Sequence, residues 1–336
     1  MKDSAHYSLL PHNTFGMHAY CRRFISFEST KEMHDLFPAN APQQPYLLLG
    51  GGSNLLLTKD FDGTVLHVGI KGIEAQEQDG EVLVRCGAGE VWDDVVAHCV
   101  DSGWHGAENL SLIPGEVGAS AVQNIGAYGV EARQIIHKVE AVEIATGKTV
   151  AFSNADCRYA YRQSRFKNEW KNRFLITHVT YRLSKQFQPN LDYGNIKSEL
   201  ERRGIGHPTA YELRQLVIDL RRQKLPDVEV LGNAGSFFMN PIVPREKFLQ
   251  LQRQYPAMPH YVVSDAEVKI PAGWLIEKAG WKGRSLGRAG VHKYQALVLV
   301  NLGGASGEEV LTLCQTIQHD VKELFGIDIH PEVNIY

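Results

Sequence analysis

Apolar positions along the chain follow two rhythms, and the alternation between them outlines the elements. Tyr46-Leu47-Leu48-Leu49 is a short apolar run, Gly50 to Asn54 has loop chemistry, and Leu55-Leu56-Leu57 follows. A turn is expected at Asp62-Gly63, then a strand from Thr64 to Val68. Glu81 to Arg85 alternates as a strand. Trp92, Val95, Val96 and Cys99 fall at helical spacing, and Gly103 ends that helix. Val139 to Ile144 and Val150 to Phe152 flank a Thr146-Gly147-Lys148 turn, and Phe174 to Tyr181 forms a further strand.

Two helices carry explicit start and stop signals. Thr209 and Glu212 form a capping box before a face of Leu213, Leu216, Val217 and Leu220, and Pro226 stops the helix. Its last turn holds Arg221, Arg222 and Lys224, where the helix dipole favours cations. Ser306 and Glu309 cap the last helix. Its face is Val310, Leu313, Cys314, Ile317, Val321 and Leu324, and Gly326 closes it. Strands are expected at Val268 to Ile270 and Ala296 to Val300. Strands and helices mix without a regular βαβ rhythm, so the fold class is α+β.

At 336 residues the chain exceeds the size of a single core, so two or three domains are expected. Lys plus Arg is 35 and Asp plus Glu is 38, which argues against a nucleic-acid protein. Five cysteines, an odd number with no Cys-x-x-Cys spacing, argue against a disulfide framework or a zinc ribbon. They read as packing residues. The histidines lack His-x-His or His-x-x-x-His spacing, so no metal site is expected. The N-terminus lacks a signal-like apolar core and no run reaches membrane-spanning length, so a cytoplasmic location is expected.

Four stretches could carry chemistry. Gly50-Gly51-Gly52-Ser53-Asn54 can form an anion-binding concavity of backbone N–H groups, or can be a plain turn. Ile113 to Gly129 is dominated by small residues and includes Gly115, Gly118, Ala119, Gly126 and Ala127, with Gln123 and Asn124 supplying amides. It could lie against a flat ligand, or mark a close helix–backbone crossing. Within it, Glu116 is out of place beside a phosphate unless it points outward. Tyr159 to Lys167 joins aromatics to cations, including Tyr161 and Arg162. Gly232 to Pro241 sets Ser236 between a glycine and two aromatics, which suggests a hydroxyl in an apolar pocket.

Taken together these stretches resemble the UDP-N-acetylenolpyruvoylglucosamine reductase family. The resemblance rests on Gly50 to Asn54, Ile113-Pro114-Gly115, Gln123 to Gly129, Tyr161 to Ser164, Lys224-Leu225-Pro226, Gly232 to Phe238 and Pro331-Glu332-Val333, in the family's order. It implies three α+β domains of the vanillyl-alcohol-oxidase-like type: residues 1–72 with 326–336, residues 73–225, and residues 226–325. FAD would lie between the first two, and the third would close over the substrate. Leu191 to Asn195 resembles the tyrosine loop of the family's longer subtype.

The resemblance further implies an NADPH-dependent reduction, through FAD, of the enolpyruvyl group of a UDP-sugar to UDP-N-acetylmuramate, for peptidoglycan and cell-wall synthesis. Arg162, Ser236 and Glu332 match the catalytic positions, with Ser236 as proton donor. Gly50, Gly51, Gly52, Ser53, Asn54, Ile113, Pro114, Gly115, Gly118, Ala119, Gln123, Asn124, Gly126 and Ala127 match the cofactor positions. Tyr128, Tyr161, Tyr193, Lys224, Asn240, Lys282 and Gln295 match substrate positions. Another FAD oxidase or dehydrogenase of the same cofactor fold, or a non-catalytic binding module, are the alternatives. No protein, nucleic-acid or membrane partner is expected.

Overall fold

The computed structural model describes all 336 residues, which separate into two compact units. The first is Met1–Tyr7, Cys21–Gly51 and Asp62–Arg221; the second is Ser8–Tyr20, Gly52–Phe61 and Arg222–Tyr336.

In the first unit, a five-stranded antiparallel sheet runs in the order Thr149–Ser153, Ile136–Glu143, Phe174–Ser184, Glu81–Gly87, Ile73–Gln78. The alternation of Glu81–Gly87 has its physical cause here: Val82, Val84 and Cys86 are buried on one face. Trp92–Asp101 packs its expected face of Trp92, Val95, Val96 and Cys99 into the same core. The Trp92 indole N–H donates to the Leu110 carbonyl at 2.8 Å, so its one polar atom is satisfied.

A second sheet has the order Lys2–Ser8, Tyr20–Phe27, Phe61–Val68, Tyr46–Leu49, and its last pair is parallel. The Asp62-Gly63 dipeptide therefore does not turn. It lies inside the Phe61–Val68 strand, which is flanked in the sheet by Tyr20–Phe27 on one side and Tyr46–Leu49 on the other, the latter pairing only from Thr64 onward.

The Ala210–Lys224 helix begins at a working capping box: Thr209 N donates to Glu212 Oε2 at 2.8 Å and Glu212 N to Thr209 Oγ1 at 3.2 Å. Leu213, Leu216, Val217 and Leu220 are buried against Ile196 and Leu200 of the Ile196–Arg202 helix. Tyr128 and Leu191 pack on this cluster, which ties the tyrosine loop to the helix.

In the second unit, one sheet has the order Asn233–Ser236, Val298–Asn301, Ala289–Val291, Ser285–Leu286. A smaller one has the order Ile242–Pro244, Glu267–Lys269, Tyr261–Val262. The Gly307–Phe325 helix has the expected capping box and a left-handed Gly326 at its end. One face residue differs from expectation. Leu324 is 53% exposed and Phe325 is 2% exposed. Counting four residues on from Val321 rather than three continues the buried stripe, because 3.6 residues per turn alternates steps of three and four. The tail pairs Asn334–Ile335 in parallel with Leu55–Leu56, and the Tyr336 carbonyl accepts Thr58 N at 2.7 Å.

All five cysteines are buried and unbridged. Burial pushes the Cys99 and Cys314 thiols up to about 12, which suits packing groups. No helix is long and apolar enough to cross a membrane.

Candidate active site

The two small-residue stretches meet in the first unit. A Cβ placed on Gly50 would stand 3.4 Å from the Ala119 Cβ, and one on Gly51 would stand 3.3 Å from the Gly115 Cα. Small residues on both sides allow this approach, and a larger side chain on either would fill the space between them. Gly118 has a separate reason to be small. Its N–H donates to the Ala88 carbonyl at 2.8 Å, and a Cβ would stand 3.0 Å from the Ala88 Cβ. That is the helix–backbone crossing foreseen as the alternative, made by the Val117–Gln123 helix.

Glu116 does not point outward. Its Oε2 lies 3.3 Å from the position of a Gly50 Cβ, and His67 Nε2 lies 3.1 and 3.2 Å from its two oxygens. Ile113 and Gly115 are half-buried and Pro114 is exposed.

Gly52, Ser53 and Asn54 belong to the second unit. Gly52 has φ +66°, and a Cβ there would stand 1.9 Å from the His12 carbonyl oxygen, so the backbone itself demands glycine. Asn54 accepts from the Asn334 side chain through its carbonyl at 3.1 Å, and its amide donates to the Glu332 carbonyl at 3.4 Å.

The Arg162 guanidinium is anchored at both ends of its fork in the first unit. It donates to the Gly126 carbonyl at 2.6 Å and to the Asn124 carbonyl at 3.4 Å, and sits 5.4 Å from the Tyr161 ring. A side chain on Gly126 would meet Arg162 Nη1 at 2.8 Å and the Val130 carbonyl at 2.9 Å. Asn124 spends its whole amide inside the fold: it donates to the Ala160 carbonyl and Glu131, and accepts from Arg133 N. Gln123 accepts from Lys167 Nζ at 2.8 Å. Ala127 pairs with Val130 in a two-residue ladder. Tyr193 is exposed, and Gly129 is small beside it, since a Cβ there would stand 2.9 Å from the Tyr193 Cβ.

Arg221, absent from the expected site set, stands with this group. Its Nε donates to the Leu112 carbonyl at 3.1 Å. Burial pulls its guanidinium below the ordinary value, with Tyr128 and Asp93 opposing that and Arg162 adding to it. Burial conversely raises the Tyr128 hydroxyl, opposed by Arg221. The signal was present in the sequence: Arg221 follows Leu213 and Val217 at four-residue steps, on the buried stripe of the helix. Nearby, Arg214 grips Asp93 through two bonds of 2.9 and 3.1 Å, and Asp93 in turn accepts Leu112 N at 2.6 Å.

In the second unit, Ser236 and Glu332 lie on adjoining backbone segments. Glu332 N donates to the Phe237 carbonyl at 2.8 Å, Met239 N to the His330 carbonyl at 2.9 Å, and Phe238 bridges Pro331. Phe237 and Phe238 are buried, but Ser236 is exposed, so its hydroxyl is not in an apolar pocket. The strand is irregular here: Gly235 has φ +69° and the pairing register shifts between Asn233 and Ser236, which leaves Ser236 exposed while Ala234, Phe237 and Phe238 are buried. Asn240 accepts Ala272 N at 2.9 Å at the start of the Ala272–Lys278 helix. Lys282 pairs with Glu277 at 3.0 Å, and Gln295 accepts Leu297 N at 3.2 Å. Lys224 is exposed at the end of its helix.

A family model described as an FAD binding domain matches residues 23–153, which contain both small-residue stretches and the start of Glu116's helix. A second, described as the C-terminal domain of UDP-N-acetylenolpyruvoylglucosamine reductase, matches residues 226–336. Over 330 residues the chain is 53% identical to the UDP-N-acetylenolpyruvoylglucosamine reductase of Bacteroides fragilis, covering 98% of each. This chain belongs to the UDP-N-acetylenolpyruvoylglucosamine reductase family. The enzyme of the same description from Flavobacterium johnsoniae is 47% identical over the full length of both, and that from Neisseria gonorrhoeae is 47% identical over 97% of this chain and 95% of its own. The crystal structure of the Thermus caldophilus reductase superposes with a TM-score of 0.67 at 22% identity, covering 100% of this chain and 98% of that one, which supports the α+β fold of this reductase family.

Proposed function

We propose that this chain is an FAD-dependent oxidoreductase that reduces UDP-N-acetylenolpyruvoylglucosamine to UDP-N-acetylmuramate with NADPH, in peptidoglycan precursor synthesis. One geometric observation carries the cofactor part: the Gly50-Gly51 backbone faces Gly115 and Ala119 across a space that a Cβ would fill, inside the FAD-domain match. Gly50, Gly51 and the small residues of 113–127 would hold the cofactor, with Gly52, Ser53 and Asn54 continuing the loop. FAD, when bound, supplies the hydride-carrying chemistry.

The remaining work falls to this chain's own residues. An enol ether accepts hydride poorly. Its carboxylate helps only if the charge that develops there is stabilised, and the Arg162 fork is suited to that task. Backbone carbonyls of Gly126 and Asn124 hold the fork in place. The carbon left electron-rich needs a proton, and Ser236 is the donor in this reading, with Glu332 as the second acid–base group on the adjoining segment. The exposed Ser236 hydroxyl suits a group that must reach substrate. Tyr128, Tyr161, Tyr193, Lys224, Asn240, Lys282 and Gln295 would contact the UDP-sugar. For Asn240 and Gln295 the side-chain oxygens are already engaged, so their amide nitrogens are the groups to offer. This reading carries with it the division into residues 1–72 with 326–336, residues 73–225 and residues 226–325, and a cytoplasmic location, where the nucleotide-sugar would be met.

Purified protein should carry flavin and should oxidise NADPH only when the enolpyruvyl UDP-sugar is present. Reduction of the flavin by an alcohol or sugar donor, with no turnover of the enolpyruvyl UDP-sugar, would favour another oxidoreductase of the same cofactor fold.

A further inference from the structure

The Gly50-Gly51 loop is bordered by small residues except for one charged group. The Glu116 carboxylate lies 3.3 Å from the Gly50 Cβ position, and its Cγ lies 3.7 Å from that of Gly51. A carboxylate in that place opposes any phosphate brought to the loop, because like charges a few ångströms apart in a partly dry site repel strongly. The structure also holds the group that answers this charge. His67 Nε2 faces both Glu116 oxygens at 3.1 and 3.2 Å, and His67 Nδ1 lies 2.9 Å from Ser26 Oγ. The two side chains are only 13% and 17% exposed, and the Phe24 ring stacks on the imidazole. Ser26 thus fixes one ring nitrogen and leaves the other facing both oxygens of Glu116, where an N–H can donate to the carboxylate. The neighbouring carboxylate, Glu90, has its own cation in Lys71 at 3.6 Å.

We propose that His67 is a cofactor-positioning residue: held by Ser26, it engages the Glu116 carboxylate and damps its repulsion, so that the Gly50-Gly51 loop can take the diphosphate of FAD. This rests on the reading of that loop as the FAD cradle. Neither His67 nor Ser26 belongs to the glycine-rich motif, and their role depends on the Glu that this chain carries at position 116.

The test is flavin release from the holoenzyme on dilution, followed by the rise in free-FAD fluorescence, for wild type, His67→Gln, Glu116→Gln and the double variant. His67→Gln strands the carboxylate and should release FAD about tenfold faster. Glu116→Gln should release it no faster than wild type, and the double variant should return to within about twofold of wild type. Release accelerated by Glu116→Gln, or a double variant that adds the two effects, would overturn the proposal and leave the pair a packing contact. Should His67→Gln fail to fold, Glu116→Gln alone decides by the same sign. Wild-type protein that takes up no FAD at all would instead remove the cradle reading underneath.

Discussion

Gly126 and Arg162 fix each other. The Gly126 carbonyl accepts from the guanidinium at 2.6 Å, and the missing side chain leaves the room that the guanidinium occupies. A methyl group there would stand 2.8 Å from Nη1 and 2.9 Å from the Val130 carbonyl. Gly126→Ala should therefore cost roughly 1–3 kcal/mol of stability by overpacking. It should also lower kcat/KM by at least about tenfold, through displacement of Arg162. Denaturant unfolding and steady-state kinetics check both; unchanged kinetics would separate this contact from the chemistry.

Arg162→Lys keeps the charge and loses the planar fork. With two backbone carbonyls to reach as well as a substrate carboxylate, one ammonium cannot replace it. Turnover should fall by about a hundredfold, with KM changed much less.

Ser236→Ala should spare the reduction of flavin by NADPH and slow the reoxidation of the flavin by the UDP-sugar by about 10²–10⁴-fold. Because Ser236 is exposed, the melting temperature should hardly move. Stopped-flow measurement of the two half-reactions separates these outcomes, and equal slowing of both would contradict the assigned donor role.

Asp93→Asn removes the partner of Arg214, a largely buried guanidinium, and weakens the bond that holds Leu112 N. An uncompensated buried cation should cost about 3 kcal/mol. Urea unfolding measures it; a loss under about 0.5 kcal/mol would mean that solvent already screens the pair.

Acid stability has a specific source in the last helix. Backbone bonds at the Ser306 cap, followed by Arg288, hold Glu309 down to about 2. A depressed folded value means that the stabilisation is complete above the ordinary carboxylate range and is lost as pH falls from about 4.5 towards about 2. Glu309→Gln should flatten the dependence of melting temperature on pH across that window and lower the melting temperature above it.

Much of this was legible in the sequence, for local reasons. The Thr209/Glu212 and Ser306/Glu309 boxes are defined by spacing alone, and both form. The helical face of Trp92, Val95, Val96 and Cys99 is set by period, and all four are buried. What failed depended on distant partners. Asp62-Gly63 has turn composition, yet it is drawn into a strand whose sheet neighbours, Tyr20–Phe27 and Tyr46–Leu49, lie earlier in the chain. The direction of Glu116 depends on His67, 49 residues away, and no local pattern links the two. The hydrogen bonds of Asn124 to Ala160, Glu131 and Arg133 likewise follow from no local pattern. Ser236 kept its neighbours and changed its surroundings, because an irregularity at Gly235 shifts the strand register and leaves the hydroxyl exposed.

The central claim is that this chain passes reducing equivalents from NADPH through bound FAD to an enolpyruvyl UDP-sugar. The most direct measurement is the anaerobic visible spectrum of the holoenzyme. NADPH should bleach the flavin bands, and one equivalent of UDP-N-acetylenolpyruvoylglucosamine should restore them with formation of UDP-N-acetylmuramate. A protein that binds no flavin, or a reduced flavin that the UDP-sugar leaves reduced, would contradict it.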